Sequence, residues 1–357
     1  MIKVFLFLIF ISSHLHCKIH QWEISPHIDK FKKHQKAKKL NSYLVNKEDI
    51  TDGILVIKNK KIIFEAYSNG HHKDRPHHTW SISKSVLNAL IGISVHEKKL
   101  TLKDSICEWG HKKHCKITVN DLLYWSSGLK WIEQYEDNPL NSDVLKMLYQ
   151  KGHHDMAQYV LSRPLEDGPS QFYRYSSGDS ILLMSLLKKA YDKEYKALPW
   201  KKLFNKLGMT SSTWETDGQG LYVGSSYLYT TPRSLAKLGL LYYQNGQWDK
   251  KQLLPKWWVK YSTTYSESFL KKRKKWSKEA IPGAHWWHNK PIDELKIRSP
   301  LKGVPSDAYW AQGHWGQFLV IIPSEKLIIV RMGNSRKDPF PIEKFLQQVI
   351  ELAKVIK

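Results

Sequence analysis

The sequence predicts an α+β fold in which one antiparallel sheet, built from both chain ends and flanked by helices, carries an inserted, mostly helical subdomain. Three stretches predict it. "GILVIKNKKIIFEAYS" (53–68) places two β-rich runs about a polar Asn59-Lys60 centre, a hairpin pattern. "GQFLVIIPSEKLIIVRMG" (316–333) repeats that form with Pro323-Ser324 as the turn, and its near-continuous apolar runs describe strands covered on both faces. The long region between them is mostly helical in its spacing.

Taken in order, "SVLNALIGISVHEKKL" (85–100) carries Val86, Leu87, Leu90, Ile91 and Val95 on helical spacing. "TVNDLLYW" (118–125) opens with Thr118 or Asn120 as the N-cap. "SILLMSLLKKAY" (180–191) and "PRSLAKLGLLYYQNG" (232–246) are further helices, the second expected to end at Gly246. "PIEKFLQQVIELAKVIK" (341–357) reads as an amphipathic terminal helix with Phe345, Val349, Leu352 and Val355 on one stripe. The expected organisation is a leader at 1–17, a basic extension at 18–44 and one domain at 45–357. Its sheet part covers about 45–80 and 280–357, and its helical part about 81–279. A cleft between the two parts is the expected active site.

The N-terminus, "MIKVFLFLIFISSHLHCK", has one lysine before an apolar run from Val4 to Ile11 that is too short to span a bilayer. Followed by Ser12 and Ser13, it has the form of a secretory signal, so a periplasmic or secreted location is expected. Membrane anchoring through a lipidated Cys17 stays open, although His16 is bulky for that role. In an oxidising compartment Cys107 and Cys115 can close a small disulfide loop. The stretch between them, "CEWGHKKHC", also offers His111 and His114 to zinc, but its spacing matches no common finger. "HHKDRPHH" (71–78), with Pro76 and charges at its centre, reads as a solvated turn. No metal and no organic cofactor are expected.

A formal charge of +23, from 56 basic and 33 acidic residues, is mostly scattered lysine, as in "KFKKHQKAKKL" and "LKKRKKWSK". Nucleic-acid binders cluster arginine on one face or beside exposed aromatics, so no nucleic-acid partner is expected. Association with anionic cell-surface polymers remains compatible with this charge. The expected substrate is a small molecule or a peptide.

The chemistry begins at "HTWSISKSVLNALIGISV" (78–95), where Ser81 and Lys84 stand three apart at a helix start. A serine hydroxyl is a poor nucleophile at neutral pH and needs a group to take its proton. Lys84, one turn on, projects from the same face, and burial can discharge a lysine. The Ser81 amide, at a helix N-terminus, can hold an oxyanion. By itself this pattern also fits a serine-capped helix with a solvated lysine. "FYRYSSGDSILL" adds Tyr175, expected partly as phenolate because a neighbouring ammonium favours the charged form; it would take and return the Ser81 proton. "AQGHWGQFLVII" adds His314 to polarise the site, and backbone near Gly316 and Gln317 as a second oxyanion donor.

The order Ser-x-x-Lys, Tyr, His-x-Gly resembles the serine β-lactamases and penicillin-binding proteins. It is closest to β-lactamase-related (class C-like) hydrolases of the 6-aminohexanoate-dimer hydrolase type. The resemblance covers roughly residues 45 to 350 and is carried by "WSISKSVLNALIGI", "ITVNDLLYWSSGLKW", "FYRYSSGDSILL", "LFNKLGMTSSTWETD", "TTPRSLAKLGLLYYQNGQW" and "GHWGQFLVIIPSEKLIIV". It implies that Ser81 is acylated, that Lys84 activates it and that Tyr175 is the general acid/base. It further implies that His314 and Gly316 form the third motif, that the Gln317 amide is the second oxyanion donor, and that Tyr135 contacts substrate. Two departures stand out. Ser177 occupies the place of the usual asparagine, and His314 that of the lysine which attracts a β-lactam carboxylate. Both favour an esterase or amidase of less acidic substrates. No G-x-S-x-G elbow of the α/β-hydrolases is present. A penicillin-binding or D,D-peptidase-like enzyme of cell-wall peptides is the alternative within enzymes, and a non-catalytic binder of anionic polymers the alternative outside them.

Overall fold

The computed structural model describes residues 21–136, 138–271, 280–336 and 339–355. The leader and Cys17 lie outside the described residues, as does most of the basic run around 272–279. Eight strands form the main sheet, in the order Glu23–Ile24, Lys61–Tyr67, Ile50–Lys58, Leu327–Asn334, Gln317–Ile322, Tyr309–Gly313, Trp287–His288, Ile281–Pro282. All neighbours are antiparallel except Glu23–Ile24, which runs parallel to Lys61 and Ile62. The first hairpin turns at Asn59 and Lys60, both with positive φ (51° and 64°), the backbone a tight two-residue turn requires.

Side chains alternate across a strand, and here both sets are apolar because both faces are covered. Leu55, Ile57, Leu319, Ile321 and Val330 enter one core, shared with helices Ile82–His96 and Pro232–Tyr243. Ile54, Val56, Val320, Ile322 and Ile329 enter the other, under helices Gln35–Val45 and Ile342–Ala353. Register sets Leu55 opposite Val330 and Val56 opposite Ile329. A slip of one residue would exchange the two sets. In the terminal helix Phe345, Val349 and Leu352 are fully buried, each contributing about 1.5–3 kcal/mol of transfer free energy. Val355, expected on the same stripe, lies beyond the helix end and is exposed.

Three expectations are corrected. Residues 18–44 do not form a separate extension where they are described. Ala37, Leu40, Tyr43 and Leu44 are buried in the second core, and Trp22 Nε1 donates to the Arg233 carbonyl at 2.8 Å. Their apolar spacing is hidden among solvent-facing lysines. The helical part is less helical than its periodicity suggests, since residues 208–227 are mostly turns with one short strand at Thr213–Trp214. Helix Pro232–Tyr243 stops short of Gly246, whose N–H closes the end by donating to the Leu241 carbonyl at 2.8 Å, with φ at 79°. Thr118, rather than Asn120, caps helix Val119–Leu123, in a reciprocal box with Asp121.

Candidate active site

Ser81 stands at the N-cap of helix Ile82–His96, immediately after Trp80, whose φ of 49° is rare for a bulky residue. That strained backbone turns the chain sharply from strand His77–His78 into the helix that begins after Ser81. Lys84 is 2% exposed. Its Nζ donates to Ser81 Oγ at 2.9 Å and to the Ser225 carbonyl at 3.0 Å. Burial pushes the ammonium down to about 8, with Glu133 pulling the other way. The Ser225 carbonyl was not foreseen, because a backbone acceptor leaves no sequence signal.

Lys84 Nζ also lies 5.0 Å from the centre of the Tyr175 ring, and the Tyr175 hydroxyl lies close enough to the Ser81 side chain for Ser81 to favour its charged form. The ring packs against Trp125 at 4.8 Å and Trp287 at 5.9 Å, which also stack on each other at 5.7 Å. Desolvation, then the Glu133 carboxylate, raises Tyr175 well above the ordinary phenol value. The expected phenolate is therefore replaced by a protonated tyrosine, because burial and a carboxylate outweigh what one depressed ammonium offers. The same geometry leaves Lys84 as the group whose lone pair is accessible near neutral pH.

Glu133 is the site residue that sequence reasoning missed. Its Oε1 accepts from Ser177 Oγ at 2.6 Å and its Oε2 from the Ser177 amide at 2.8 Å, at the N-terminus of helix Ser177–Tyr191. Oε2 also accepts from Trp131 Nε1 at 2.6 Å. A carboxylate there is favoured by the helix dipole. Ser177 is thus committed to Glu133 and buried, not turned toward a substrate amide. The available signal was an acidic residue inside "WIEQYED", next to the Tyr135 already singled out.

His314 sits in the turn joining strands Tyr309–Gly313 and Gln317–Ile322, with its ring 5.4 Å from Trp80. The Tyr135 hydroxyl and His314 Nδ1 share a hydrogen bond of 2.8 Å. Burial lowers His314 below the usual imidazole value, aided by Arg336 and opposed by Glu136. It is a neutral group where a lysine would be a cation. Gly316 and the Gln317 side chain are engaged away from Ser81. Gly316 (φ 82°) backs onto Arg331 and Phe340, with its carbonyl accepting from Arg331 Nη1 at 2.6 Å. The Gln317 side chain is buried and bonded to Gly333 at 2.6 Å and 2.9 Å. The strand end at Gly313 is what approaches the segment before Ser81, at Thr79. Gly313 packs so tightly on the Thr79 carbonyl that no Cβ fits. Among the described residues, neither the Ser81 nor the His314 amide donates to a protein acceptor.

Two further residues support the site from behind. His285 is fully buried and stacks on Trp125 at 4.8 Å. Its Nδ1 is 3.1 Å from the Lys84 carbonyl and its Nε2 3.3 Å from Ser180 Oγ. Burial, then Lys84, lowers it to about 3, so it stays neutral. Asn88, one turn below Lys84, accepts from Trp258 Nε1 at 2.9 Å and donates to the Ala284 carbonyl at 2.9 Å. Trp258 and Trp286 therefore fill the core, whereas Trp80, Trp125 and Trp287 surround the site. Cys107 and Cys115 are bonded at 2.00 Å, away from this constellation.

A cleft of about 600 Å³ opens beside Trp80, lined by His78, Tyr149, Tyr227, Tyr229 and Glu215 among others. No curated protein sequence matches this chain. Among solved structures it is similar to a candidate 6-aminohexanoate-dimer hydrolase from Bacillus anthracis, at 19% identity and TM-score 0.73, covering 95% of this chain and 88% of that one. It is also similar to a candidate β-lactamase from Bacteroides dorei DSM 17855, at 18% identity and TM-score 0.71, covering 89% and 98%. An octameric penicillin-binding protein homologue from Pyrococcus abyssi follows at 16% and 0.64, covering 90% and 76%. These likenesses show a common fold. The family model described as Beta-lactamase matches residues 47–351, and with that span the chain belongs to the β-lactamase family of serine hydrolases.

Proposed function

We propose that this protein is an exported hydrolase that cleaves an ester or amide bond through an acyl-enzyme on Ser81. The observation that carries the reading is Lys84: a buried lysine, depressed to about 8, with Nζ 2.9 Å from a serine oxygen at a strained helix start. Neutral Lys84 takes the Ser81 proton as Oγ attacks the substrate carbonyl. The amides of Ser81 and His314 receive the negative charge on the carbonyl oxygen. When the tetrahedral adduct collapses, Tyr175 gives its proton to the departing alcohol or amine and is reprotonated from Lys84. Water then attacks the acyl group by the same route and frees Ser81.

The substrate is neutral or cationic near its scissile bond. His314 is uncharged where a lysine would be a cation, and Glu133 places a carboxylate beside Tyr175 and Lys84, so an anionic β-lactam loses one attracting charge and meets one repelling charge. The aromatic cleft beside Trp80 suits the acyl or leaving group. Export rests on the apolar run Val4–Ile11 and is consistent with the bonded cysteine pair.

The test is intact-mass spectrometry after incubation with a fluorophosphonate, for the wild type and Ser81→Ala. One adduct per chain, absent in the variant, is expected, with short-chain esters competing and benzylpenicillin not competing. A folded wild type that takes no adduct overturns the acyl-enzyme reading, and efficient labelling by penicillin overturns the substrate class in favour of a penicillin-binding enzyme.

A further inference from the structure

The histidine-rich turn at 71–78 is not solvated as its composition suggests. It folds back on the sheet, and His71 and His77 converge on Asp52, 25 residues before His77 on strand Ile50–Lys58. Side-chain exposures are only 19%, 12% and 7% for His71, His77 and Asp52, which separates this group from a chance surface cluster. One nitrogen from each imidazole and one Asp52 oxygen all lie within 4.8 Å of one another. Among the described residues it is the only such group of three or more histidine, cysteine or acidic side chains.

The geometry is close to that of a ligand set. Asp52 Oδ2 is 3.0 Å from His77 Nε2 and 3.9 Å from His71 Nε2. Zinc–nitrogen and zinc–oxygen bonds of about 2.0–2.2 Å in a tetrahedron put neighbouring ligand atoms roughly 3.3 Å apart. The observed separations bracket that value. The outer partners are in place as well. His77 Nδ1 lies 2.9 Å from the His78 carbonyl, which holds a proton on that nitrogen and leaves Nε2 as the one facing Asp52. Asn69 Nδ2 donates to the other oxygen, Asp52 Oδ1, at 2.9 Å. The cleft bounded by these residues, Arg75 and His72 has room for about one water-sized sphere.

We propose that Asp52, His71 and His77 bind a single divalent transition-metal ion, zinc by ligand type, that ties the turn before the nucleophile to the central sheet. Two imidazoles and one carboxylate leave a fourth position for water. The role is structural. The ion clamps the chain one residue before His78, which stacks on Trp80 at 3.9 Å and so fixes the strained turn into Ser81. The site does not depend on Ser81 being acylated, so the two readings stand or fall separately.

The test uses the tag-free full chain, stripped with a chelator and titrated with zinc chloride against a chromophoric competitor. Wild type is expected to take one zinc per chain and to gain thermal stability from it. His71→Ala and Asp52→Asn are expected to weaken binding at least about 100-fold, more than loss of an outer partner costs, and to abolish the stabilisation. His71 is at the outer rim of the group, so its variant keeps the test valid if Asp52→Asn fails to fold. Absence of stoichiometric binding overturns the proposal. So does equal binding by wild type and His71→Ala, which would assign the zinc to other histidines.

Discussion

Lys84 sets a pH dependence whose position follows from its surroundings. Burial lowers the ammonium from 10.5 to about 8. If neutral Lys84 accepts the Ser81 proton, the competent fraction is about one-tenth at pH 7 and about nine-tenths at pH 9. Acylation by a fluorophosphonate and kcat/KM for a neutral ester should therefore both rise about tenfold per pH unit up to about 8 and then level. Glu133→Gln removes the carboxylate that favours the charged lysine, so the limb should move to lower pH. The same shift has a stability consequence. A base depressed in the folded state loses stability as pH falls from about 10.5 through 8, by on the order of 3 kcal/mol at pH 7. Lys84→Met, which keeps the stem without the charge, should unfold at higher urea concentration than wild type at pH 7 while losing acylation. Rates flat between pH 6 and 9, a limb near the free lysine value, or a Glu133→Gln shift to higher pH would refute the assignment.

Tyr175→Phe should lower kcat/KM by about 10²–10⁴ as general acid catalysis is lost, with the loss greater for amides than for activated esters in steady-state assays. His314→Ala keeps the backbone amide and loses the Tyr135 bond and the edge contact with Trp80, so kcat/KM should fall no more than about tenfold; a 10³-fold loss would restore a catalytic role to the ring. Asp179 is fully buried, bonded to Ser127 Oγ at 2.8 Å, and its other oxygen has no partner. Burial raises it to about 7, so the folded state takes up a proton between about pH 4 and 7, and stability is lost as pH rises through that window. Asp179→Asn should match wild type near pH 4 in urea unfolding and exceed it at pH 8 by up to about 4 kcal/mol.

Ser81 and Lys84 were legible because helical spacing alone puts them on one face, and the two hairpins because their turn residues and apolar runs are local. The disulfide pair was legible for the same reason, as eight positions of separation suffice to propose a loop. Other features depend on residues far apart in the chain. The acceptor for Lys84 is a carbonyl 141 positions away. Tyr175 could be picked out, but its protonation depends on burial and on Glu133, neither of which periodicity reports. Local spacing in "HWGQ" pointed to Gln317, whereas the register of Gly313 opposite Gln317 turns that side chain to Gly333. "HHKDRPHH" read as solvated because the partner that gathers it, Asp52, lies in another strand. The sequence by itself determined most of the elements, the family and the Ser81–Lys84 pair proposed as the nucleophile and its base, since these rest on contacts within a few residues. Only the tertiary structure decided which groups are desolvated, what Glu133 binds and where the histidines converge, because burial and register are properties of the packed sheet.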